Sequence, residues 1–503
     1  MASTSPRPRT PAPRTTAGRT PAAPAPARIT APSRNDSLLR RFTEVVGGPL
    51  GRHTEPGVTP TGFWTIDRVL IALTMLGAIL AVGVKNACRV GGWTGLNAYQ
   101  WACYSDFPAL YYARGLAENP LAPFLAGSDF EYPVLMSAVA SFTAALVTPG
   151  DYDRSLAFFD VNVLFIAVLW AAVVLLTART AGRRPWDAAM VALAPGMILA
   201  STINWDLWAV AALAGAMYAF GRERTLLAGV LIGLGTATKL YPVLFLGAVL
   251  VLALRTGRWR AFGTTAAGAA GAWLAVNLPV MAFNFEAWSV FWTFTREREA
   301  GWSSLWHAWN TVARGVGAEG LSAETINSAG FWLFFLACVA VAVLGLAAPR
   351  RPRIAQLAFL IVASFILFNK VYSPQFVVWL VPLAVLALPG WRDFLVWQFF
   401  EVLHFFAIWA YLYSLDAQLE ATNALAPSAY VLAVAGHMLS LLYLMGRVVH
   451  GMLAPEADPV RRTGAGNVVQ DDPAGGPFAG AADRLTLASL RAGLRPAARG
   501  ADR

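Results

Sequence analysis

Charge is scarce in this chain. Only 14% of its 503 residues are Asp, Glu, Lys or Arg, against 57% hydrophobic, where a soluble domain carries nearer a quarter charged residues. A water-soluble globular protein of this size is thereby excluded. Cysteine is equally sparse: Cys88, Cys103 and Cys338 are the whole complement. With no CxxC pair and no Cys/His cluster, the sequence argues against a structural zinc site. A dinucleotide fingerprint is missing too, because Gly233-Leu-Gly235 lies inside an apolar run and not in a strand-to-helix turn. No internal repeat is evident.

What the chain has instead is apolar runs of bilayer-spanning length. They predict an all-α polytopic membrane protein of about twelve transmembrane helices, at residues 66–84, 156–178, 187–203, 206–220, 225–237, 239–254, 261–283, 329–347, 354–368, 375–388, 393–413 and 428–446. Residues 61–450 thus form the membrane domain, with two large outer loops at 85–131 and 284–328. The net charge of +10 sits in tails and short loops, where it reads as cytoplasmic anchoring charge and not as a nucleic-acid site. Segments 1–60 and 451–503 are rich in Pro, Ala, Gly and Arg and are expected to be disordered cytoplasmic tails.

One run is ambiguous. Residues 132–148 reach only about 25 Å as a helix, the lower limit for crossing. Placing them along or re-entering the outer surface puts the basic loop Arg179–Arg184 inside and the Asn204–Asp206 turn outside, as the positive-inside rule wants. The 225–254 region holds a similar choice. Lys239, Tyr241 and Pro242 interrupt thirty otherwise apolar residues, so either two short spans meet at the outer face or one helix is kinked there.

Under this topology polar and ionisable residues converge on one side of the membrane. Tyr104–Leu135 is the stretch the rest serves, since a long ordered loop among short ones needs a function. It holds Asp106, Asp129 and Glu131. Asp106 is placed to be a general base; alternatively Ser105 or Asp106 caps a helix starting near Pro108. Asp129 and Glu131 are candidates for positioning an acceptor, or are a solvated loop end. The 284–328 loop carries Trp288, Trp292, Trp302, Trp306 and Trp309 with Arg296, Arg298 and His307, suited to sugar faces and phosphate or to interfacial anchoring. His307 is a candidate polar contact. Lys370 in the Asn369–Gln375 turn is suited to a lipid phosphate or to snorkelling. Cys88 and Cys103 share the first outer loop, where an oxidising compartment permits a disulfide; two free thiols is the other reading.

At these residues a family resemblance appears. The chain resembles the multi-spanning glycosyltransferases of GT-C fold, and more closely glycosyltransferase family 87, the polyprenyl-phosphate-mannose-dependent alpha-mannosyltransferases that include phosphatidylinositol-mannoside mannosyltransferases. The resemblance rests on Tyr104-Ser-Asp106-Phe-Pro, Glu131-Tyr132-Pro133, Asn204-Trp-Asp206, Lys239-Leu-Tyr241-Pro242 and Asn369-Lys370-Val-Tyr372-Ser-Pro374-Gln375, in that order. It implies a GT-C-like bundle with a catalytic aspartate at Asp106. Substrate contacts are expected from Asp129, Glu131, Tyr132, Asn204, Asp206, Lys239, Tyr241, His307, Asn369, Lys370, Tyr372 and Gln375. It implies a polyprenyl-phosphate-mannose donor and a glycolipid or lipoglycan acceptor at the outer face of the plasma membrane. No cofactor and no metal are expected, since no DxD-type motif accompanies the site. The competing reading is a transporter or lipid-carrier flippase, disfavoured because the polar residues map to the membrane edge and not to a midplane between repeats. A structural partner in an envelope-building complex is a third.

Overall fold

A computed structural model describes residues 36–47, 64–148, 153–417, 425–463 and 466–487. The chain is an all-helical membrane bundle. Six of the described helices are long and apolar enough to cross a bilayer: Ile66–Val84, Arg154–Thr180, Trp259–Phe283, Ala323–Ala347, Trp391–Asp416 and Pro427–Leu453. Among them stand shorter apolar helices, Asp206–Gly221, Thr225–Thr238, Phe245–Thr256, Ile354–Phe368 and Val377–Ala387. The predicted spans map onto these with one exception. Residues 187–203 form no continuous helix but a 3-10 turn and two short helices, Ala189–Ala192 and Pro195–Ala200. Pro195 starts the second piece because it lacks the donor needed to continue the first.

Helix contact here depends on small residues. Thr225–Thr238 crosses Trp259–Phe283 so closely that a Cβ added at Gly229 would run into the Thr265 carbonyl, and one at Gly233 into the Ala269 carbonyl. Small residues four apart let helix backbones approach where lipid offers no hydrophobic drive for association. Gly233 therefore has a packing role.

The ambiguous run resolves as the helix Val134–Ala145. Its 12 residues rise about 18 Å, well short of a bilayer core, and most of its side chains are buried against protein. The 225–254 region is two helices, broken where Lys239 takes an extended backbone and Pro242 opens a 3-10 turn.

The tails depart from expectation in part. Ser37–Gly47 is helical, and Asp36 caps its first turn while accepting a hydrogen bond from the Trp391 amide at 2.8 Å. Residues 455–463 and 466–486 are structured as well. Proline and glycine keep them from forming a long helix, but their acids match the arginines of the bundle's basic end. Arg353 forms a buried ion pair with Asp458 at 2.7 Å and donates to the Leu386 and Ala387 carbonyls. Arg351 meets Asp471 and Arg255 meets Asp483. Asp472 accepts from the Ile354 amide, supplying one of the unpaired donors at that helix's start. A short antiparallel pairing of Arg462–Thr463 with Gly466–Val469 completes the segment. Residues 451–453 continue the helix Pro427–Leu453, and residues 1–35, 48–60, 464–465 and 488–503 of the predicted tails lie outside the described residues.

Candidate active site

The disulfide Cys88–Cys103 closes the start of the first loop. Just beyond it, Lys85 donates to the Tyr104 carbonyl at 2.8 Å. Burial holds that ammonium down to about 7, against the nearby Asp106 charge, which raises it. Ser105 then caps the helix Asp106–Ala113: its hydroxyl oxygen accepts from the Phe107 amide at 3.3 Å and its O–H donates to the Thr202 carbonyl at 2.8 Å. The Asp106 amide donates to the Ile203 carbonyl at 2.7 Å. Because Ser105 is the cap, the Asp106 carboxylate is not consumed in that role.

That carboxylate faces a cavity of about 490 Å³. Tyr104 donates to its Oδ1 at 2.8 Å and Asn204 to its Oδ2 at 2.5 Å. The same Asn204 nitrogen donates to the Tyr132 hydroxyl at 2.7 Å, and its Oδ1 accepts from the Trp205 amide at 2.5 Å. Burial raises the Asp106 carboxyl above the ordinary aspartate range, while the bonds from Tyr104 and Asn204 and the charge of Lys239 pull it back. A carboxylate held by two donors yet shifted toward neutral pH is suited to taking a proton.

Cations line the same cavity. Lys239 sits 4.7 Å over the Tyr132 ring and 3.5 Å from Asp206, which also accepts from the Trp379 indole at 2.7 Å. Asp206 is thus a buried anchor for Lys239 and does not itself line the cavity. Arg298 and Lys370 also line it, and among the described residues neither forms an ion pair. Burial lowers the affinity of both for their protons, and Arg298 adds to the effect on Lys370. Lys370 is aimed by a bond to the Arg296 carbonyl at 3.0 Å. Asn369, Tyr372 and Gln375 share its turn and line the same space, as do Glu131, Tyr132, Asn204 and Tyr241.

Besides Asp206, two further expected contacts lie elsewhere. Arg114 clamps Glu131 at 2.7 Å and Asp129 at 3.3 Å; Glu131 reaches the cavity rim, but Asp129 stays in solvent outside it. His307 is packed against Trp302 and Tyr411, with Thr311 at its Nε2. Burial lowers it to about 4, so it is a neutral loop histidine outside the cavity. An aromatic wall went unread in the sequence: Trp409 stacks on Tyr104 at 4.9 Å and on Tyr99 at 5.9 Å. A tryptophan inside an apolar run carries no signal separating it from a lipid anchor.

Residues 130–368 match the family model of glycosyltransferase family 87. This region belongs to glycosyltransferase family 87. The glycosyltransferase region holds Glu131, Asn204, Lys239 and Arg298, with Asp106 upstream and Lys370 just downstream. No curated protein matches the chain. Among solved structures it is similar to ArnT from Cupriavidus metallidurans, crystallised with undecaprenyl phosphate, at 14% identity and a TM-score of 0.39, over 77% of this chain and 79% of that one.

Proposed function

We propose that this membrane glycosyltransferase moves a hexose, with mannose favoured, from a polyprenyl phosphate to a glycolipid or lipoglycan hydroxyl at the outer face of the plasma membrane, with both termini cytoplasmic. One observation carries the reading: a single cavity is lined by Asp106, whose carboxylate is held by Tyr104 and Asn204, by Glu131, whose carboxylate is taken up by Arg114, and by three cations, Lys239, Arg298 and Lys370. A proton acceptor opposite an anion-binding wall is what sugar transfer from a lipid phosphate requires.

In this mechanism Asp106 takes the proton of the acceptor hydroxyl as its oxygen attacks the anomeric carbon. The bond from that carbon to the phosphate oxygen breaks on the opposite face, so configuration inverts. The electron pair leaves with the polyprenyl phosphate, whose charge the cations neutralise. Tyr99, Tyr104, Trp302 and Trp409 supply flat apolar faces for sugar rings. The basic loops at the bundle's other end, with Arg255, Arg351 and Arg353, support the orientation assigned here.

The test is transfer of label from radiolabelled polyprenyl-phosphate-mannose to a membrane lipid extract by purified protein in nanodiscs. A new labelled lipid formed by the native chain and not by Asp106→Asn supports the reading. Equal transfer by both removes Asp106 as the base, and no transfer with mannose- or arabinose-loaded donors removes the polyprenyl donor.

A further inference from the structure

Apart from the cavity, the bundle buries a second group of chemistry-bearing side chains. Glu401 and His404 lie one turn apart on Trp391–Asp416, and His437 faces them from Pro427–Leu453. All three are buried, and one potential ligand atom from each lies within 4.8 Å of the others. None of them lines the cavity around Asp106.

We propose that Glu401, His404 and His437 form a divalent-cation site of the zinc class. The first support is unmet bonding: His404 Nε2 is buried without a hydrogen-bond partner, and the buried ring nitrogens of His437 make no bond of normal geometry, with only the Ser303 backbone close to that ring. Buried polar nitrogens in an apolar helix pair are costly unless they find a partner. The second is the aim of the carboxylate. Trp397 and Tyr372 both donate to Glu401 Oε1, at 2.9 and 3.3 Å, which leaves Oε2 directed to His437 Nδ1 at 3.7 Å. Hydrogen bonds of this kind from outside a metal's ligand set fix ligand orientation. The third is donor chemistry: two imidazoles and one carboxylate suit zinc, with a fourth position for water.

The two imidazoles lie parallel, 3.9 Å apart. Binding therefore turns one ring out of the stack about its terminal torsion, which is broad and soft for histidine. A bound ion would join the last two long helices and, through Tyr372, fix the turn that carries Lys370 into the cavity. Its role is structural, and it holds whether or not the donor is a polyprenyl phosphate. The sequence carried a trace of it in Glu401-x-x-His404 within an apolar run, a spacing that puts both side chains on one helix face.

The experiment uses the full chain in detergent, stripped with chelator, offered zinc, passed through gel filtration and assayed for metal. The native chain is expected to retain about one zinc, and His437→Gln and Glu401→Gln to retain about a tenth of that or less. Cobalt in place of zinc gives the native chain the visible absorption of a tetrahedral centre and gives His404→Gln none. Stripping lowers the native chain's unfolding temperature and zinc restores it, a readout independent of how well the variants fold. A native chain that retains no zinc, variants that retain the native amount, or an unfolding temperature indifferent to chelator would overturn the site and leave a metal-free histidine stack.

Discussion

Asn204 and Asp106 stand 98 positions apart in the chain and meet through a hydrogen bond of 2.5 Å. The same amide nitrogen holds the Tyr132 hydroxyl. Asn204 thus helps orient the carboxylate and, with Tyr104, lowers the proton affinity that burial raises. Removing Asp106 as Asp106→Asn is expected to lower kcat by about 10²–10⁴-fold. Asn204→Ala acts differently. The base works deprotonated, so activity rises with pH through its pKa; the Asn204 donor lowers that pKa and Ala loses the donor. The acid limb of the kcat/KM profile should therefore move to higher pH, with activity recovered above it. An unmoved limb would detach Asn204 from the titration.

Arg298 and Lys370 face the cavity without acidic partners among the described residues, the arrangement expected of an anion site. Lys370→Met and Arg298→Met are each expected to reduce kcat by about 10²–10³-fold, as for loss of one electrostatic stabiliser, with the protein still folded. Steady-state kinetics with varied donor checks this, and near-native rates in both variants would remove the phosphate from this wall.

Lys239 and Asp206 are a largely buried pair, with side-chain exposures of 13% and 2%. Lys239→Met leaves Asp206 with only the Trp379 indole, and breaking such a pair costs about 3–5 kcal/mol. The double variant Lys239→Met with Asp206→Asn should recover part of that stability without recovering activity. Thermal unfolding and transfer measured on the same samples separate the two effects.

The crossing at Gly229 predicts a sharp contrast with Gly263, where an added Cβ meets open space. Gly229→Ala would drive its methyl group into the Thr265 backbone and should sharply reduce folded yield. Gly263→Ala, on the neighbouring helix, should raise stability by about 0.5–1 kcal/mol through helix propensity. Equal unfolding temperatures for the two would contradict the close crossing.

The Cys88–Cys103 bond makes a simpler prediction. Alkylation without reductant should label Cys338 alone, and intact mass should show one adduct until reductant is added. Three adducts beforehand would remove the bridge.

Much of the architecture was legible because the bilayer imposes it. A helix in lipid must satisfy its own backbone bonds and present apolar side chains over a fixed thickness, so its length and composition are written locally. The candidate carboxylate was legible for another reason: Asp106 is an acid among aromatic residues in the first outer loop, within the Tyr104-Ser-Asp106-Phe-Pro stretch that carries the family resemblance. The loops and ends were less so. Residues 451–503 read as a disordered tail because their composition cannot bury a core, yet Asp458, Asp471 and Asp483 are held by Arg353, Arg351 and Arg255 from distant loops. Pairing across more than a hundred positions leaves no local pattern.

Local sequence was enough for the solvent of this protein, the positions of most of its membrane helices and the break at Lys239–Pro242, though not the break before Pro195. Hydropathy and helix-breaking are properties of neighbours in the chain. Packing between distant segments was needed to establish that Ser105 caps and Asp106 does not, that Asp206 anchors Lys239 from outside the cavity, and that His307 and Asp129 stay out of it. It alone placed Glu401, His404 and His437 around one point. Each of these depends on which helix faces which, set by side-chain packing between segments far apart in sequence.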